Sequence, residues 1–136
     1  MELNYIVNFE TTILMIGLVG LLQFTQLLVA DVSAIKSKKI PGFPTEPDHN
    51  SFVFRSERAF LNTSESVTIF LMFACFSILS SADPGWLNSL SVIYALSRLF
   101  HMFFYYFGIQ LARSAVFAIS LLALAGMFIV GVAEWL

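Results

Sequence analysis

Between Glu10 and Asp31 the chain carries no charged residue, and that run is long enough to cross a bilayer as a single helix. Crossing the hydrocarbon core takes about 20 apolar residues, since each one advances a helix by only ~1.5 Å. Lipid offers no partner to a backbone amide, so a lone segment of this kind must bond within itself as an α-helix. The pattern recurs. A second segment runs from about 52 to 80, with polar opening turns and no charge from Ser66 to Ala82. A third covers about 87–108, interrupted by Arg98 and His101, and a fourth about 114–133. Composition removes the soluble alternative: 12% of residues are charged, against roughly a quarter in soluble domains, and fifteen phenylalanines exceed what a small aqueous core could hide. The expected architecture is an all-α integral membrane protein, one four-helix membrane domain over residues 1–136.

The connections are equally legible. Pro41, Gly42, Pro44 and Pro47 predict an irregular loop over about 31–51. Asp83, Pro84 and Gly85 predict a tight turn between the second and third spans. Trp86 and Trp135 fall at span ends, the depth that indole rings favour. The N-terminus lacks the basic start and small-residue cleavage site of a signal peptide, so the first apolar run reads as a retained span. Cys75 is the single cysteine; it excludes an intrachain disulfide and reads as a small buried hydrophobe. A net charge of −2 gives no reason to expect a nucleic-acid partner. His49 sits in the loop and His101 has no second His or Cys near it, so no metal site is expected. Gly17, Gly20, Gly126 and Gly131 read as positions of close helix packing.

The basic residues assign an orientation. Lys36, Lys38, Lys39, Arg55 and Arg58 flank the first loop, and Arg113 lies in the short turn before the fourth span. The N-terminus, the Asp83 turn and the C-terminus contain no lysine or arginine. The positive-inside rule then puts loops one and three in the cytoplasm and both termini on the opposite side.

The remaining polar residues converge on that cytoplasmic side. Arg55, Arg58, Asn62 and Glu65 share an arc of about 80° on the second span. Tyr94, Arg98, His101, Tyr105 and Gly108 form a similar stripe on the third, with Phe100, Phe103, Phe104 and Phe107 on its other faces. Charges inside a span are expensive and mark protein-facing functional sites. The alternative is an ion-pair network, Arg58 with Glu65 or Glu65 with Arg98, that ties helices together. A pocket of this chemistry suits a small anionic solute: arginines grip carboxylates and Glu65 holds an ammonium group. Adjacent apolar faces suit a lipophilic second substrate arriving through the bilayer.

Two stretches carry a family resemblance. "RSERAFLNTSE" (residues 55–65) resembles the signature R-x-x-R-A-x-x-N-x-x-E of the MAPEG family, membrane-associated proteins in eicosanoid and glutathione metabolism. "RLFHMFFYYFGIQLARS" (residues 98–114) resembles that family's third-span pattern of Arg, His, Tyr, Gly and then Arg-Ser. The resemblance implies a homotrimer of four-helix bundles with glutathione as cosubstrate, bound between neighbouring subunits. It implies a glutathione transferase or peroxidase acting on a lipophilic electrophile or lipid hydroperoxide. By matching position, Arg58, Asn62, Glu65, His101, Tyr105 and Arg113 would bind glutathione. Arg113 would stabilise its thiolate, with Ser114 the hydroxyl donor and Tyr105 the alternative donor. Arg55, Arg98 and Tyr94 would be structural or binding, and Gln23 and Gln26 of the first span would face the site or bridge helices. Phe60 and Leu61 depart from the pattern, standing where relatives carry histidine and arginine. Because the family includes a non-catalytic lipid-binding member, an accessory role is the alternative to catalysis. A small four-span exporter is disfavoured, since such proteins place an acid deep in the first span.

Overall fold

The computed structural model describes residues 2–136. A short helix α1 (Glu2–Val7) leads into four long ones: α2 (Glu10–Lys36), α3 (Phe52–Leu79), α4 (Pro84–Phe107) and α5 (Gln110–Ala133). All four are long and apolar enough to cross a membrane. Chain direction alternates, so the 37–51 loop and the α4–α5 turn lie at one end of the bundle. Phe52 at the start of α3 meets Tyr106 at the end of α4, with ring centroids 5.4 Å apart.

The helix limits refine the expected spans. α2 runs on to Lys36, past the expected boundary at residue 30, because nothing breaks it before Lys38 adopts a positive φ of 54°. α4 begins at Pro84 rather than near Leu87. Asp83 caps it by accepting from the Trp86 amide at 2.9 Å, and Pro84 takes the first-turn position, where a missing N–H costs nothing. At its far end Gly108 turns left-handed with φ 74°, a conformation favouring glycine, and α5 restarts at Gln110. Arg113 therefore stands in the opening turn of α5, not in the turn before it. The helix holds its side chain at a defined angle.

Around a core that holds Phe9, Phe70, Leu87, Tyr94 and Met127, the buried stripe of α3 is mostly small and polar. α3 buries Ser56, Ala59, Thr63, Ser66, Phe70, Ala74 and Ser77, a stripe at alternating three- and four-residue spacing. In lipid the apolar effect does not drive helices together, so close backbone approach and interhelical hydrogen bonds must do so. Ser33 and Ser56 share a hydrogen bond at 2.8 Å, and Gln23 donates to Ser64 at 3.1 Å, pinning α2 to α3. Ser66 meets the Tyr94 hydroxyl at 2.8 Å while Phe70 stacks on the Tyr94 ring, pinning α3 to α4. Thr12 and Asn88 join α2 to α4, and Ser77 donates to the Met127 carbonyl to join α3 to α5.

Two expectations about small residues are corrected. Cys75 is exposed: it follows Ala74 by one position, about 100° around the helix, and so faces away from the buried stripe. Of the four glycines, Gly17 and Gly20 have no neighbour among the described residues within 4 Å of an added Cβ; they face outward and serve no close contact with those residues. Gly131 is the opposite case. A Cβ there would lie 2.6 Å from Ser77 Oγ and 2.7 Å from Phe76 Cε1. Gly131→Ala should therefore destabilise the bundle by about 1–3 kcal/mol through overpacking, whereas Gly17→Ala should be neutral or stabilising. Thermal unfolding in detergent checks this, and equal shifts for the two variants would remove the packing explanation.

Candidate functional site

The start of α3, the end of α4 and the start of α5 meet at the loop-bearing end of the bundle. Between them lies a cavity of about 150 Å³ lined by Asn62, His101, Tyr105, Arg113, Ser114 and Phe117. Its floor comes from α4, where the period that buries Tyr94 and Arg98 also buries His101 and Tyr105. The expected division of α4 thus holds in the bundle. The polar stripe faces inward, while Phe100, Phe103 and Phe107 are exposed.

Geometry arranges the floor and wall. The Arg113 guanidinium carbon sits 4.3 Å from the Tyr105 ring centroid, a cation–π contact that holds the charge over the cavity. His101 meets the same ring edge-on at 5.0 Å, and Phe117 lies 6.0 Å from the imidazole. His101 is 2% exposed, and its Nδ1 has no partner among the described residues. Ser114 donates to the Gln110 carbonyl at 3.2 Å, a local bond that a better acceptor could replace. α5 starts at this rim with no side-chain cap, so unpaired amides and the positive end of its dipole add to the Arg113 charge. The wall is rich in donors and contains no carboxylate. Its chemistry favours an anion.

On α3 the signature residues divide. Asn62 accepts from Arg98 Nη2 at 2.8 Å and lines the cavity. Arg98 is fully buried behind it. Arg55 donates to the His49 and Asn50 carbonyls at 2.7 and 2.9 Å, fastening the end of the long loop. Arg58 is half-buried and Glu65 exposed; neither makes an ion pair or hydrogen bond with the described residues, and neither lines the cavity of a single chain. The tie of Glu65 to Arg58 or Arg98 that the alternative reading called for is absent among the described residues. The reason is rotational: the small stripe Ser56–Ala59–Thr63–Ser66 takes the inner face, which turns Glu65 outward beside the exposed Leu61, Ile69 and Met72.

Other residues, some of them outside the expected set, complete the surroundings. Tyr94 lies outside the cavity, its hydroxyl bonded to Ser66 and its ring stacked on Phe70. Gln23 bridges to Ser64, while Gln26 is fully buried with neither amide atom partnered. Thr63 Oγ1 is a second acceptor for Arg98, at 3.1 Å. Phe117 closes the cavity. Neither was legible beforehand, because one apolar or hydroxyl residue among many in a span carries no positional signal. Lys39 pairs with Glu57 at 3.0 Å, and Thr45 donates to the same carboxylate, strapping the loop onto α3. Charge pattern alone would suggest many such surface pairs.

No curated protein and no solved structure matches the chain. The MAPEG family model matches residues 11–133, from the first full turn of α2 to the last residue of α5, and includes every residue of the cavity. The chain belongs to the MAPEG family, membrane proteins of glutathione and eicosanoid metabolism that include both enzymes and non-catalytic members.

Proposed function

We propose that the protein is a glutathione-dependent membrane enzyme that conjugates glutathione to a lipophilic electrophile or reduces a lipid hydroperoxide. The observation that carries this reading is the donor-lined cavity of Asn62, His101, Tyr105, Arg113 and Ser114, opening at the polar end of an otherwise apolar bundle. A thiolate is the reactive form of glutathione, and an unscreened cation beside the sulfur favours it over the thiol. Arg113 supplies the cation; the hydroxyl of Ser114 or Tyr105 supplies a hydrogen bond. The thiol proton leaves to solvent and the sulfur attacks the substrate. In conjugation it forms a C–S bond as the electrophile's leaving bond breaks. In reduction it attacks the terminal peroxide oxygen and the O–O bond breaks; the alkoxide takes a proton from solvent and leaves as an alcohol, and a second glutathione converts the sulfenic acid to a disulfide and water.

The exposed Glu65 supports contact with a neighbouring copy, as in the homotrimer we propose. A carboxylate on an apolar helix face in a bilayer is costly, and a neighbouring copy laid against that face would cover it. Glu65 and Arg58 then join the glutathione site from the subunit boundary, with Glu65 holding the ammonium group. The basic loops orient this end of the bundle toward the cytoplasm, where glutathione is met; the lipophilic substrate arrives through the bilayer.

Calorimetric titration of the purified protein with glutathione tests the reading. Saturable binding is expected, with cross-linking in detergent yielding trimers. Absence of saturable binding would leave the non-catalytic lipid-binding role in its place, and a species other than a trimer would overturn the shared-site architecture.

A further inference from the structure

Asn62 is the one cavity residue whose orientation is dictated by a side chain that never reaches the cavity. Arg98 is fully buried, lies outside the lining, and directs a single nitrogen, Nη2, at both Asn62 Oδ1 (2.8 Å) and Thr63 Oγ1 (3.1 Å). A guanidinium has only donors, so the amide must turn its oxygen to Arg98. The amide nitrogen then points the other way, with both hydrogens free. An asparagine left to itself could present either end to a ligand; this one can present only donors. Thr63 sets the angle, because it is fully buried and anchors the same Nη2.

From this geometry we infer that Arg98 is a positioning residue: it locks the Asn62 amide so that its NH2 group donates to an acceptor of the bound ligand, a carboxylate or peptide carbonyl. The inference rests on the glutathione reading for the identity of that acceptor, but the amide's orientation stands apart from it. The arrangement also accounts for a buried cation with no carboxylate within 4 Å among the described residues. Such a charge is costly in a bundle core, and a structural tie between helices could be made by a neutral residue. Fixing the polarity of an amide needs a group that can only donate.

A double-mutant cycle tests the proposal in the full chain. Arg98→Met should weaken glutathione binding by roughly tenfold or more, and Asn62→Ala by a similar factor. The double variant should bind no worse than Asn62→Ala alone, because Arg98 acts through that amide. Multiplying losses, or wild-type affinity in Arg98→Met, would overturn the inference. Arg98→Lys, which keeps charge and donor, should recover part of the affinity; it replaces Arg98→Met in the cycle if that variant fails to assemble. A readout without glutathione separates this inference from the functional one. The side-chain amide NMR signal of Asn62, assigned by its loss in Asn62→Asp, should move in Arg98→Met and move less in Arg98→Lys. An unmoved signal in both would sink the positioning role even if glutathione binds, whereas a shifted signal with no glutathione binding would sink only the choice of ligand.

Discussion

Arg113→Ala is expected to abolish the ultraviolet absorbance of ionised thiol in the glutathione complex and to lower kcat/KM by roughly 10²–10³-fold. An ordinary cysteine thiol ionises near pH ~8.5, so at neutral pH only a few per cent is thiolate. A fixed cation beside the sulfur shifts that balance toward the anion, and Arg113 is the one arginine or lysine lining the cavity among the described residues. Its position over the Tyr105 ring matters as much as its charge, because a freely rotating arginine would spend most of its time in water. Removing it should return the thiol toward its ordinary range, so the rate of the variant should rise steeply between neutral pH and pH ~9 while that of the wild type is nearly level. Arg113→Lys should restore part of the rate. If the absorbance and the pH profile are unchanged in Arg113→Ala, thiolate stabilisation belongs to another group.

The second large effect is expected at Glu65. Glu65→Gln keeps the size of the side chain and removes the charge, and we expect glutathione affinity to fall by roughly tenfold or more. Among the described residues the exposed carboxylate has no cation partner, so the partner we propose comes from ligand or neighbour. A glutathione analogue lacking the amino group separates the two. It should bind wild type and Glu65→Gln alike if the carboxylate holds the ammonium group. Equal loss for both ligands, together with loss of the trimer, would mean that Glu65 is an interface residue and not a ligand contact.

The helical architecture was legible in residue order because partition into lipid and the 3.6-residue period are local properties. Long apolar runs marked all four spans, uncharged throughout in the first and fourth, and Asp83-Pro84 marked the α3–α4 turn. The boundaries moved where stop signals were weak, as at the end of α2, or where a presumed breaker served as a starter, as Pro84 does. On α4 the stripe Tyr94–Arg98–His101–Tyr105 read correctly as inward because bulky phenylalanines occupied its other faces, leaving no ambiguity about which side met lipid. Cys75 failed the same test: one position separates it from the buried Ala74, and a cysteine's size and polarity fit either side.

The sequence by itself thus determined an all-helical, four-span membrane protein of the MAPEG family and the polar end of its bundle. Only the tertiary structure decided how the signature on α3 divides. Arg55, Arg58, Asn62 and Glu65 share an arc of about 80°, narrow enough to read as one wall. That arc lies across the border between the inside and the outside of the bundle, so a small rotation of α3 would change which members face the cavity. The rotation is set by how closely Ser56, Ala59, Thr63 and Ser66 let α2 and α4 approach, which no local pattern on α3 encodes. Packing sends Asn62 to the cavity under the control of Arg98, and leaves Glu65 on a face that a single chain does not cover.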